Sequence, residues 1–298
     1  MEGLDSAQLR TLTAVVAEGS FDAAARVLHV TPSAVSQRIR ALEEAVGQVL
    51  VRRTRPCRAT EAGRPLLRLA GQLDLLEREA LADARGALTG DRLGTRLAVV
   101  VNADSLATWF VAALARVPDD LVVRFDVRQD DQDHTADLLR DGAVMAAVTA
   151  QREAVQGCRA VPLGAMRYRA LAASGRAGRW FPDGLTASAL AAAPMVAFDR
   201  KDRVQHRFLR SVTGRHLDPP VHHVPSVPAF GEAIRRGLGW GVVPEQLAAA
   251  DLADGTCVDL APGRYVDVPL YWQHWRLDST VLGALTAAVR AEAAVTLR

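Results

Sequence analysis

Near residue 94 the period of the apolar residues changes, and a chain patterned that way needs at least two kinds of fold. Before that point the apolar residues recur every three to four positions. Leu4, Leu9, Leu12, Val15 and Val16 lead up to Gly19, and Ser20 is placed to cap a short segment over 21–28. Thr31 and Pro32 open a third segment whose stripe is Val35, Ile39, Leu42 and Val46, and Gly47 stops it. A threonine cap gives an acceptor to an unpaired backbone N–H, and proline in the first turn has no N–H to waste. From Thr60 a long helical pattern runs to about Leu88, with Leu66, Leu69, Leu73, Leu76 and Ala80 on one face, until Thr89, Gly90 and Asp91 break it. A lone helix would expose that stripe, so a partner helix is implied. After Gly94, strand-like runs at 97–101, 121–127, 143–148, 168–173, 194–198 and 266–272 are separated by helical stretches at 106–114, 135–140, 205–212, 229–236 and 280–296. This alternation predicts an α/β domain with a largely parallel sheet.

Composition removes several classes. With 298 residues and 49% apolar content, the chain can bury a large core. The longest nearly apolar stretch, 185–198, is too short for a membrane span and contains Pro194. The first five residues are acidic and lack the basic start of a secretory leader, so a cytoplasmic location is expected. Cys57, Cys158 and Cys257 are odd in number and far apart, which suits reduced structural thiols. His222 and His223 would point to opposite faces of a strand, a poor arrangement for one metal. Residues 237–241 are glycine-rich but lack the strand-then-helix order and the lysine of a phosphate loop. They read as a tight turn before Val242 and Val243. With no nucleophile elbow and no zinc-protease motif either, no enzyme activity, metal or cofactor is expected.

Net charge is only +2, but its distribution is uneven. Residues 20–60 hold seven arginines, at 26, 38, 40, 52, 53, 55 and 58, against Asp22, Glu43 and Glu44. Such a local basic excess suits nucleic acid. Lys201 is the only lysine in the chain, a compositional bias rather than a site. Within 20–39 the pattern has the layout of a helix-turn-helix. Ala24 and Ala25 let two helices approach, His29 and Val30 make the turn, and Val35 and Ile39 face inward. Thr31, Pro32, Ser33, Ser36, Gln37, Arg38 and Arg40 are left at the start or on the outer face of the second helix, where a major groove accepts short polar side chains and arginine. The same layout also fits a three-helix bundle with a solvated face. The stretch 50–60 is too short and charged for a core element, and Arg52, Arg53 and Arg55 sit where a β-wing reaches flanking phosphates.

Taken together, Ala23, Ala24, Ala25, Thr31, Pro32, Ser33, Ala34, Val35, Ser36, Ile39, Leu42, Glu43 and the run Thr60, Glu61, Ala62, Gly63 resemble the N-terminal region of LysR-type transcriptional regulators. The resemblance extends over the whole chain. It implies a winged helix-turn-helix over 1–59, a linker and dimerisation helix over 60–90, and an effector domain over 91–298. That last domain would have a periplasmic-binding-protein-like fold of two Rossmann-like subdomains, about 91–164 with 266–298, and about 165–265. The runs 102–109, 196–199 and 270–272 resemble the ArgP/LysG branch of the family. The branch implies lysine or arginine as effector, control of a basic amino-acid export gene, double-stranded DNA and RNA polymerase as partners, and a homodimer or homotetramer.

In parallel α/β domains ligands sit at the carboxyl ends of strands. There Asn102, Asp104 and Ser105 open a helix whose free N–H groups suit a carboxylate, although Asp104 or Ser105 could equally serve as its N-cap. A cationic ligand also needs a carboxylate partner. Of Asp104 and Asp199, with Asp202 nearby, Asp199 directly follows the 194–198 strand and is favoured, although it could equally be a surface turn residue paired with Arg200 or Arg203. The family's cleft further implies Thr149, Gln151, Phe198, Ser226 and Val227 as lining. Trp109 and Trp240 read as packing residues. Two rival readings are an unrelated anionic effector, which would have no use for Asp199, and a solute-binding module or small-molecule enzyme whose N-terminal helices only oligomerise.

Overall fold

The computed structural model describes residues 4–85, 94–130 and 132–298. The expected break at Thr89, Gly90 and Asp91, like the first three residues of the acidic start, lies outside them. In chain order the elements are α1 (Ser6–Glu18), α2 (Phe21–Val27), α3 (Pro32–Val46), β1 (Val51–Arg52), β2 (Arg58–Ala59) and α4 (Gly63–Arg85). Then come β3 (Thr95–Val101) and one helix in three parts: α5 (Ala103–Ser105), a π-helical turn (Leu106–Phe110) and α6 (Val111–Leu114). Next are β4 (Val123–Gln129), α7 (Gln132–Arg140), β5 (Ala146–Thr149), β6 (Cys158–Ala173), α8 (Ser174–Trp180), α9 (Ala187–Ala192), β7 (Met195–Ala197) and α10 (Val204–Thr213). The order closes with β8 (Val221–His223), α11 (Val227–Arg235), β9 (Gly241–Pro244), α12 (Glu245–Ala253), β10 (Cys257–Asp259), β11 (Val266–Trp275) and α13 (Thr280–Thr296).

The chain forms two compact units. The first comprises Met1–Val101, Arg116–Val161 and Trp272–Ala288. Its helical part is built as the caps require: Asp5, Ser20 and Thr31 each accept a backbone N–H at a helix start, and Gly19 and Gly47 end α1 and α3 in the left-handed region. Leu9, Leu12, Val15, Ala24, Ala25, Val35, Ile39 and Leu42 make the core, joined by Leu67 and Ala70 of α4. Leu50, Val51 and Cys57 are buried there too, which corrects the expectation that 50–60 builds no core element. Alternation explains it: Val51 points in while Arg52 points out.

In the same unit β3 lies between β4 and β5, parallel to both. The end of β11 joins them through Trp275 N–H, which donates to Met145 O at 3.0 Å. α4 is pinned to this sheet region. Gly71 faces the Trp275 indole so closely that a Cβ there would sit 2.7 Å from it. Glu79 also accepts hydrogen bonds from Ser279 Oγ at 2.7 Å and Val281 N at 3.0 Å. The side of α4 turned inward is therefore Leu67, Ala70 and Leu75, while Leu73 and Leu76 of the sequence-derived stripe stay 43% and 37% exposed.

The second unit comprises Asn102–Ala115, Pro162–Tyr271 and Val289–Arg298. Here β6 pairs antiparallel with β9 and with β10, and β7 runs parallel to β8. Trp109 and Trp240 are fully buried, as packing residues should be. The chain at 237–241 makes the expected turn: Gly237 has φ 72°, and a Cβ on Gly239 would lie 2.7 Å from Pro194 O. The unit is fastened at residue 298, where Arg298 N and O exchange hydrogen bonds with Ala165.

Candidate DNA-reading head and effector site

α3 presents its outer face because Val35, Ile39 and Leu42 hold the inner one in the core. Thr31 Oγ1 accepts from Ala34 N at 3.2 Å and lies 2.9 Å from Ser33 Oγ, so the start of α3 is fixed by its own hydroxyls. Thr31, Pro32, Ser33, Gln37 and Arg40 are exposed, and Ser36 and Arg38 are half-buried. His29 turns the chain between α2 and α3 at φ 53°, a conformation that L-residues adopt at some cost. On the wing, β1 and β2 pair antiparallel, Val51 with Ala59 and Arg52 with Arg58. Glu43 accepts from Leu50 N and Val51 N and so ties α3 to the wing. Arg52, Arg53 and Arg55 are exposed, and the Arg53 guanidinium lies 4.7 Å from the centre of the Phe21 ring. Among the described residues none of Arg38, Arg40, Arg52, Arg53 and Arg55 has a carboxylate partner, although Glu43, Glu44 and Asp22 belong to the same head. Arginines left unpaired on one exposed edge suit a phosphate backbone.

Of the nine effector candidates, Thr149 and Gln151 belong to the first unit. Thr149 ends β5 almost fully buried, and its Oγ1 accepts from Gln151 N at 3.1 Å. Gln273, 1% exposed and not anticipated from the sequence, orders this loop. Its Nε2 donates to Gln151 O and Glu153 O, and its Oε1 accepts from Val155 N.

The other seven belong to the second unit. Asn102 is the N-cap of the helix after β3, without a side-chain cap bond, so neither Asp104 nor Ser105 caps it. The Asn102 Oδ1 and Ser105 Oγ atoms are buried without a hydrogen-bond partner among the described residues. Asp104 instead accepts the phenol proton of Tyr168 on β6, at 2.7 Å. Burial pushes the Asp104 carboxyl up to about 6; the Tyr168 hydrogen bond opposes that shift, and the negative charge of Asp202 adds to it. The Tyr168 phenol is held well above its ordinary value by burial and by the charge and hydrogen bond of Asp104.

Asp199 proves to be a turn residue, its Oδ1 accepting from Lys201 N at 2.7 Å and Asp202 N at 3.0 Å. Asp202 receives Phe198 N at 3.0 Å, Val204 N at 2.9 Å and Gln205 Nε2 at 2.9 Å. Gln205, itself buried, bonds through Oε1 to Val242 N, so Asp202 is fixed to β9 through one side chain. Ser226 is the exposed N-cap of α11, with Val227 half-buried after it. Sequence reading named Asp202 only as a neighbour and read Tyr168 only as strand. The available signal was a tyrosine on the buried phase of a strand whose arginines, Arg167 and Arg169, fall on the other phase, since a buried phenol needs an acceptor.

A winged reading head joined by a long helix to an α/β unit is the arrangement of a one-chain transcriptional switch. Residues 6–64 match the bacterial regulatory helix-turn-helix family of LysR type, and residues 90–294 match the LysR substrate-binding domain. The chain belongs to the LysR family of DNA-binding transcriptional regulators and is not an enzyme. It is similar to the crystal structure of ArgP from Mycobacterium tuberculosis, with 52% identity, 99% of each chain covered and a TM-score of 0.91. It is 43% identical to the lysine export transcriptional regulatory protein LysG of Corynebacterium glutamicum, over 95% of both chains. The full-length structure of that organism's LysG with bound effector Arg matches with 41% identity, 99% coverage of each chain and a TM-score of 0.81. Among the described residues no helix is long and apolar enough to cross a membrane.

Proposed function

We propose that this regulator senses a basic amino acid, lysine or arginine, in the cytoplasm and controls a gene for basic amino-acid export. The reading is carried by Asp104, a half-buried carboxyl beside a strand end with no basic side chain bonded to it among the described residues. A cationic ligand supplies the partner that such a group lacks. Within the second unit, Asn102 and Ser105 would take the ligand's polar end, and Phe198, Asp199, Ser226 and Val227 would line the site, Asp199 by shaping the turn that carries Asp202; Thr149 and Gln151 of the first unit are effector candidates that the family resemblance implies. On the DNA side, Thr31, Pro32, Ser33, Ser36, Gln37, Arg38 and Arg40 read the major groove. Arg52, Arg53 and Arg55 hold phosphates.

The uncovered Leu73 and Leu76 would seat the α4 helix of a second copy, and pairing of effector domains would build the tetramer. Effector binding then needs to couple to DNA geometry by only ~1–3 kcal/mol to recruit or release RNA polymerase. Calorimetric titration with lysine, arginine and benzoate tests the effector, and a footprint on the chain's own upstream DNA, with and without lysine, tests the target. Heat with a basic amino acid and an altered footprint are expected. Heat with benzoate alone would replace the reading with an anionic effector, and indifference to duplex DNA would remove it.

A further inference from the structure

Asp104, Tyr168 and Asp202 are a chain of two carboxyls and a phenol inside one compact unit. Tyr168 is fixed on β6, and Asp202 is locked by three donors, Phe198 N, Val204 N and Gln205 Nε2. Asp202 has therefore little acceptor capacity left, while the Asp104 carboxyl accepts from Tyr168 alone among the described side-chain donors, Thr108 donating only to the Asp104 backbone O. The charged groups that bear on this cluster are Asp202 before α10 and Arg207 on α10. On the helix start that carries Asp104, the buried Asn102 Oδ1 and Ser105 Oγ have no partner among the described residues. A buried polar atom without a partner costs free energy, and these two flank Asp104 in the chain, so that helix start is fitted to a polar ligand and not to apolar packing.

We propose that the cationic effector binds against Asp104 by displacing a proton from its carboxyl, so that the regulator reads its ligand in competition with acidity. The inference rests on the basic amino-acid reading above. The exchange is balanced: the Asp104 O–H bond breaks, the proton leaves to solvent, and the ammonium or guanidinium of the ligand neutralises the carboxylate left behind. The carboxyl's position at about 6 places the exchange between about pH 5 and 7. Tyr168 acts as a positioning residue: its hydrogen bond favours the ionised carboxyl and sets the pH at which the ligand wins.

The test is calorimetric titration of the full-length protein with L-arginine between pH 5 and 8, in two buffers of different ionisation enthalpy. The guanidinium keeps its charge throughout that range. The expected dissociation constant is flat above about pH 7 and rises about tenfold per pH unit below about 6, with close to one proton released per arginine at pH 5. Asp104→Asn should bind weakly, show no break near 6 and release no proton. Tyr168→Phe should move the break to higher pH, which a merely structural tyrosine would not do. An unchanged near-ultraviolet spectrum from Trp109 and Trp240, both buried in the unit that carries Asp104 and Tyr168, reports that the variants fold. PH-independent binding by the wild type, or an unchanged break in Asp104→Asn, overturns the proton exchange while leaving the basic effector standing. No arginine binding by the wild type at pH 8 overturns both.

Discussion

Asp104 carries a stability consequence independent of any ligand. Folding raises this carboxyl from 3.8 to about 6, so the protonated form is the one the fold accommodates. The stability it contributes is fully present below about pH 4 and is lost as pH rises through 6. Asp104→Asn keeps an acceptor for Tyr168 and removes the buried charge. It should therefore stabilise the protein at pH 7.5 by about 2 kcal/mol, allowing for partial solvation, with the advantage gone by about pH 4. Melting temperatures of the two proteins across pH 4–8 check this, and an advantage that grows toward acid pH would contradict it. His29 offers a second single-residue test. Its φ of 53° is open to glycine without strain, so His29→Gly should raise stability by about 0.5–1 kcal/mol in chemical denaturation. At this scale the sequence was partly legible. A carboxyl beside a strand end is visible in a string of letters, and Asp104 stood among the candidates. Asp199 was open to two readings, a ligand's carboxylate partner or a turn residue, and its bonds to backbone N–H groups two and three residues on show the turn, which the letters alone could not single out.

Helices and wing were more legible than single contacts, because caps and periods are local signals. Thr31 with Pro32, Ser20, Gly19 and Gly47 mark boundaries that the backbone obeys. What escaped were elements of three to nine residues with little pattern, such as α12, whose alanines define no face, and β8 to β10, too short to alternate. The inward face of α4 escaped in part. Leu66 and Leu69 of the leucine stripe pack against the head's core, whereas Leu73 and Leu76 stay exposed and Leu67, Ala70, Gly71 and Leu75, outside the stripe, meet the chain's own core. Two predictions belong to these elements. Replacing Arg52 and Arg53 with alanine should lower the slope of log affinity against log salt by about 2 in gel retention between 50 and 200 mM salt, since each lost phosphate contact removes about 0.9. An unchanged slope would exclude the wing from the backbone. Gly71→Ala gains helix propensity but drives a methyl into a buried indole, and should lower stability by about 1–3 kcal/mol in urea unfolding.

For the molecule as a whole, the change near residue 94 marked where a run of helices gives way to strands alternating with helices, because a purely helical period is replaced there by short apolar runs between helical stretches. Parallel pairing of β4, β3 and β5 followed from the helices between them. Membership of two discontinuous units was not legible in periodicity, since nothing local marks which strand a distant segment will join. The exposed Leu73 and Leu76 place a prediction at this scale. Changing both to glutamate should leave the head folded but shift sedimentation toward the monomer and weaken retention of a dyad-symmetric site far more than of a half-site.

The second unit is assembled from Asn102–Ala115, Pro162–Tyr271 and Val289–Arg298, whereas the core of the head is complete by Ala70. On the ribosome, at about 5–20 residues per second, the head is free to fold many seconds before the second unit receives its closing stretch. A nonsense codon in the final tenth of the message would release chains with a finished head and an unfinished second unit, and under the effector reading proposed above such alleles should behave as dominant over wild type.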